Sequence, residues 1–195
     1  MYSLILDSST KILYVCLVND GKVVYEKYAE GNKDHAKNIV YLVDCALKEN
    51  NIESKDLTEI VCGYGPGSYT GVRMAVSVCK MLSVFMNKPL YTISSLKLMA
   101  SGTKGKVLSI IDARRGNVFG CILDTNTDTY IIEESHTLLD DLKKNQYDYI
   151  VTDDGYKVDP LYVLAHKEKV LEPHLLVPNY LRETEAERNL NDKTV

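Results

Sequence analysis

The sequence predicts an α/β protein of two similar lobes with mixed sheets, the second lobe shortened. Three observations predict it. Apolar runs of strand length open the chain at 2–6, 12–18 and 22–28, and helix, strand and helix patterns follow them. A similar order restarts near residue 106. The 195 residues, 45% of them hydrophobic, suffice for one large domain or two small lobes.

The first run ends at Asp7-Ser8-Ser9-Thr10. After the second run, Asn19-Asp20-Gly21-Lys22 reads as a hairpin turn into the third strand. A helix is expected over 36–49 with Asp34 as its cap, and a strand over 59–63. The segment Gly63-Tyr64-Gly65-Pro66-Gly67-Ser68-Tyr69-Thr70-Gly71-Val72-Arg73 places four glycines and a proline in nine residues. It stands between that strand and a helix over 71–86, with Thr70 as the expected N-cap. Glycines there permit close backbone approach, and a helix start offers free N–H groups suited to an anion. It is neither a Walker A loop nor a dinucleotide fingerprint, because Val72-Arg73 follow Gly71 and Thr70 stands where a third glycine is needed.

A short strand after Pro89 and a helix over 95–100 complete the order β-β-β-α-β-α. This order is ribonuclease-H-like, the plan on which the lobes of actin-like ATPases are built. Strands at 106–111, 117–123, 129–134 and 148–152, with a short helix near 137–143, make the second lobe. The expected division is 1–103, then 104–182, then a polar tail at 183–195.

A net charge of −4 and a pI near 5.6 give no basic footprint for nucleic acid, so contact with RNA would fall mainly to a partner. The five cysteines (Cys16, Cys45, Cys62, Cys79, Cys121) lie in apolar surroundings without C-x-x-C spacing, as reduced core residues would. No basic leader or membrane-length apolar run occurs, and a cytoplasmic protein is expected.

Helix 71–86 is apolar on nearly all sides, its polar residues Arg73, Ser77, Lys80 and Ser83 forming one narrow stripe at roughly 100° per residue. Helix 36–49 has a wide apolar face as well. Two such helices read as covered by a second layer of the same domain or by a partner. Ile39, Val43, Met74, Val78, Met81 and Leu82 are the positions expected near the core or a partner surface.

The stretch Gly65-Pro66-Gly67-Ser68-Tyr69-Thr70-Gly71-Val72-Arg73 closely resembles the signature loop of the TsaB (YeaZ) family. Asp112-Ala113-Arg114-Arg115-Gly116-Asn117-Val118-Phe119, Asp153-Asp154-Gly155 and Pro178-Asn179-Tyr180-Leu181-Arg182 are similar to further segments of that family, in the same order. The resemblance implies an actin-like (ASKHA) fold and a non-catalytic partner of the TsaD transferase. That complex installs threonylcarbamoyl on the tRNA adenosine 3′ of the anticodon. It further implies pairing with a TsaD homologue or with itself through helices of the first lobe. A TsaE-type P-loop ATPase would join the complex, and tRNA contact would be indirect. Asp7, Ser8, Asp112 and Gly155 would mark a vestigial nucleotide cleft, with Asp7 and Asp112 facing each other. Asp153 departs from the family's G-D-G element and brings charge where a nucleotide would approach. TsaD-type enzymes hold a metal with H-x-x-x-H, but Ile39 stands four residues after His35. No metal, no tightly bound cofactor and no catalytic residue are therefore expected; a nucleotide at a partner interface is left open. The alternatives are a stand-alone actin-fold kinase or ATPase using Asp7 and Asp112, a metal-dependent glycoprotease, and a homodimeric binding module.

Overall fold

The computed structural model describes residues 1–30 and 35–181. Its first sheet contains β1 (Tyr2–Asp7), β2 (Ile12–Asn19), β3 (Lys22–Glu30), β4 (Leu57–Gly63), β5 (Leu90–Ile93) and β10 (Glu168–Lys169), in the order β10-β5-β4-β1-β2-β3. The first three strands are antiparallel, whereas β4 joins β1, and β5 joins β4, in parallel. Parallel neighbours need long crossovers. These are α1 (His35–Glu49) and α2 (Tyr69–Met86), packed beside each other on one face. The hairpin between β2 and β3 turns through Asp20 and Gly21, both at positive φ. That is the turn the Asp-Gly pair predicts.

The second sheet holds β6 (Lys106–Asp112), β7 (Asn117–Asp124), β8 (Thr129–Leu138) and β9 (Tyr149–Thr152), in the order β8-β7-β6-β9. It repeats the β3-β2-β1-β4 part of the first sheet, including the parallel fourth strand. A counterpart of β5 is absent among the described residues, so the second lobe is the shorter one.

Side chains alternate across each sheet as the strand period requires. On the first sheet, Leu4, Leu6, Val15, Ile60 and Cys62 pack under α1 and α2. Ile5, Cys16, Val61 and Ile93 face the other way, toward Leu98 of α3 (Ser95–Ala100) and Val163 of α5 (Pro160–Ala165). Leu96, Met99 and Ala100 of α3 pack on Val107, Ile111 and Cys121 of the second sheet. α3 is thus the wedge between the lobes, fixed by the Ser109 hydroxyl donating to the Leu96 carbonyl at 2.9 Å. α4 (Leu139–Lys143) inserts Leu142 on the outer face of the second sheet.

Three elements differ from the sequence expectation. β8 runs to Leu138 and displaces the start expected for the helix near 137. α5 was not anticipated, although Asp159 caps Leu161 and Tyr162 and Pro160 occupies the first turn. Residues 168–181, expected with the second lobe, run back over the first. β10 pairs with β5, Lys80 Nζ donates to the carbonyls of His174 and Leu176, and Asn179 N–H donates to the Tyr64 carbonyl at 2.7 Å. Lys167 fixes this return through an ion pair with buried Glu59 at 2.6 Å. Asp34, Arg182 and the tail 183–195 lie outside the described residues.

Candidate functional site

Two regions carry the motifs of the sequence: the junction of the glycine turn with the β1–β2 turn, and the outer face of α1 and α2.

The glycine turn is closed by the protein's own backbone. A Cβ at Gly71 would overlap the carbonyl oxygen of Ser8, and one at Gly67 that of Ser9. Ser68 N–H donates to the Ser9 carbonyl at 2.6 Å, and the Ser8 hydroxyl donates to the Gly71 carbonyl at 2.7 Å. Gly65, at φ +104°, lies against the Asn179 carbonyl, so the C-terminal return leans on the same loop. The expected N-cap Thr70 is exposed inside α2, and Ser68 caps instead, accepting from Gly71 N–H. The N-cap is Ser68 because its backbone is already held by Ser9 before the helix begins. The Ser68 N–H is thus taken by the Ser9 carbonyl and the Gly71 N–H by the Ser68 hydroxyl.

Asp7 is also enclosed. Its carboxylate accepts from Ser9 N–H at 2.9 Å, the Ser9 hydroxyl at 2.7 Å and the Ser95 hydroxyl at 2.5 Å. Burial pushes this carboxyl above its ordinary value, against the lowering effect of the Ser95 and Ser9 hydrogen bonds. Asp112, by contrast, is exposed and accepts from the Arg114 N–H. Asp7 is an internal tie between β1 and α3, and Asp112 closes its own hairpin turn. Gly155 has open space around it, and the lobes meet nearby through an ion pair of Lys11 with Asp154.

A raised carboxyl has a definite linkage sign. The Asp7 contribution to stability is fully present below the unfolded value of 3.8 and is lost as pH rises through the higher folded value. Asp7→Asn lacks this titration. Its melting temperature relative to wild type is expected to rise as pH increases from about 4 to about 8, measured by scanning calorimetry.

The face of α1 and α2 corrects part of the interface expectation. Ile39 and Val43 are buried in the core beneath α1, because that side of the helix meets the first sheet. Of the expected set, Met74, Val78 and Leu82 are half-buried and Met81 is 44% exposed. Sequence reasoning missed the most open apolar residues of these two helices: Phe85 at 84%, Tyr41 at 63% and Val40 at 52% exposed. Val84 is exposed as well. Ser83 leaves the expected polar stripe, since it is buried and donates to the Lys88 carbonyl. Near the start of α2, Tyr69 stacks on Tyr180 at 5.3 Å between ring centroids and takes the Arg73 guanidinium on its hydroxyl at 2.7 Å. A hollow of about 340 Å³ beside them is lined by Tyr69, Thr70, Arg73, Met74, Ser77 and Val78.

No helix among the described residues is long and apolar enough to cross a membrane. Ser94 caps α3 by accepting from Leu96 and Lys97 N–H. Ser94→Ala is expected to cost about 1 kcal/mol, read from urea unfolding.

The family model described as "TsaD: tRNA N6-adenosine threonylcarbamoyltransferase" matches residues 29–160. The tRNA threonylcarbamoyladenosine biosynthesis protein TsaB of Bacillus subtilis is 26% identical, over 96% of this chain and 96% of that protein. TsaB of Escherichia coli is 32% identical, over 61% of this chain and 53% of that protein. Among solved structures, YeaZ from Pseudomonas aeruginosa superposes with a TM-score of 0.76 at 20% identity, covering 92% of this chain and 99% of that one.

Proposed function

The chain belongs to the TsaD family and its TsaB (YeaZ) branch, and from that premise we propose that it is a non-catalytic subunit of the tRNA threonylcarbamoyladenosine-forming machinery. In this reading it binds and stabilises a TsaD homologue, which carries out the transfer. A TsaE-type ATPase acts on the same assembly, and tRNA is reached through the complex.

The observation that carries the reading is the exposure of apolar side chains on both α1 and α2. Val40 and Tyr41 on α1, with Met81, Val84 and Phe85 on α2, are all exposed. Scattered exposed apolar side chains are ordinary, but five on two helices that pack beside each other favour cover by a partner. Methionine adapts to a partner's shape, and aromatic residues supply area at little entropic cost. Covering this face with a second copy of the chain is the competing reading, because the same surface can be self-complementary.

The enclosed Asp7 and the backbone-filled glycine turn support a binding role over a stand-alone kinase. Ile39 also supports it, since a core isoleucine stands where the metal-binding pattern would need a second histidine. The test is co-expression with the TsaD homologue of the same cell. Wild type is expected to co-purify and to support threonylcarbamoyl modification of tRNA, and Phe85→Glu, at an exposed position, to fold and do neither. Modification that proceeds equally without this chain would overturn the reading.

A further inference from the structure

The returning chain runs along one flank of α2. Val170 N–H donates to the Leu90 carbonyl at 2.9 Å, just past the C-terminal end of the helix. Lys80 Nζ then donates to the His174 carbonyl at 2.8 Å and the Leu176 carbonyl at 2.9 Å. Tyr180 stacks on Tyr69 in the first turn of α2. The return therefore passes antiparallel to the helix. The lengths agree, since the helix from Lys80 back to Tyr69 spans about 16 Å and the extended chain from Leu176 to Tyr180 about 13 Å. At roughly 100° per residue, Lys80 and Tyr69 share this flank. Val78 and Leu82 lie on the other flank and pack into the cluster that holds Ile39 and Val43 of α1. The exposed residues Arg73, Ser77, Met81, Val84 and Phe85 project between α1 and the return.

The return presents apolar side chains beside that face. Val170 and Leu176 pack against the core cluster beneath α2. Leu175 and Val177 flank Leu176 in sequence and point away from that core, at 70% and 69% exposed. Lys80, which anchors this stretch, immediately precedes Met81 and stands one turn before Val84. Exposed apolar residues of α2 and of the return thus border one another.

The size of a stable interface decides what this border is for. About a dozen positions of α1 and α2 are exposed among the described residues. A stable complex engages roughly 20–30 residues a side. A partner seated on the two helices must therefore reach past them, and the return offers apolar contact along one edge. We propose that Leu175 and Val177 form a second rim of the partner-docking surface, covered by the TsaD homologue together with α1 and α2. This inference rests on the docking reading above and extends it to a segment outside the two helices.

The experiment titrates the purified TsaD homologue into full-length wild type and three variants, each first shown to melt cooperatively. Leu175→Ser with Val177→Ser is expected to bind at least tenfold more weakly while melting within about 2 °C of wild type, since both side chains are exposed. Leu161→Ser, an exposed position on α5 at the opposite face of the first sheet, is expected to bind as wild type does. Met81→Glu with Phe85→Glu reports on docking itself. If that variant binds weakly while the Leu175, Val177 variant binds as wild type, the rim is overturned and the docking reading stands. If wild type forms no complex, or neither variant weakens it, both fall. Sedimentation of the chain alone tests a second copy as occupant: a self-dimer lost in the Leu175, Val177 variant with unchanged affinity for the TsaD homologue also overturns the proposal. Should the double variant fail to melt cooperatively, Val177→Ser alone is read, with at least threefold weaker binding expected and unchanged binding counting against the rim.

Discussion

Gly71→Ala is expected to destabilise the protein by about 3 kcal/mol, at the upper end of the usual cost of overpacking. Gly71 lies in the first turn of α2, where alanine would normally be the better helix former. The sign reverses because its added Cβ has no free space: it would overlap the Ser8 carbonyl, which is main chain and cannot rotate away. Moving Ser8 would disturb the turn that holds Asp7, the Ser8 hydroxyl bond to Gly71 and the Ser68–Ser9 bond together. For a chain of this size the loss corresponds to a fall of about 6–12 °C in melting temperature. Ser77→Ala, on the exposed side of the same helix, is expected to stay within about 0.5 kcal/mol of wild type. Thermal melts of the two variants beside wild type check both values. A Gly71→Ala protein as stable as wild type would mean that the turn is open, as a ligand-binding loop would be.

The second large effect separates core from surface on α1 and α2. Ile39→Ala empties a fully buried position in α1 and is expected to cost about 3 kcal/mol of stability. Partner affinity per folded molecule should stay unchanged. Met81→Glu with Phe85→Glu puts charge on exposed positions of α2, so stability is expected to change by about 1 kcal/mol or less. Partner binding should fall at least 100-fold, because two charges would be buried without counter-charges at the centre of an apolar contact. Urea melts and binding isotherms on the same preparations distinguish the two classes.

Much of the fold was legible because its elements are strongly periodic. The alternating runs of β1 and β2, the Asp-Gly hairpin and the helix over 95–100 follow from local pattern alone. The repeat of the strand order in the second lobe was legible for the same reason. β10 was not, since a two-residue strand of Glu168 and Lys169 carries no pattern and exists only because β5 offers an open edge. α5 does have a signal in the sequence, the Asp159-Pro160 start before apolar residues. The glycine turn was located correctly, but its contacts depend on Ser8 and Ser9, about sixty residues earlier in the chain. Sequence spacing shows that backbone must come close there, not which backbone. The orientation of α1 was equally hidden. With apolar residues on both sides of the helix, only the packed sheet decides that Ile39 and Val43 turn inward while Val40 and Tyr41 stay outside.

In the proposed function, the exposed apolar side chains of α1 and α2 dock a TsaD homologue. Its most direct measurement is a calorimetric titration of the purified TsaD homologue into wild type and into the Met81→Glu, Phe85→Glu variant, each first shown to melt cooperatively. A saturable one-to-one complex with wild type and at least 100-fold weaker binding by the variant are expected. Equal affinity for the two proteins, or no complex with wild type, would contradict it.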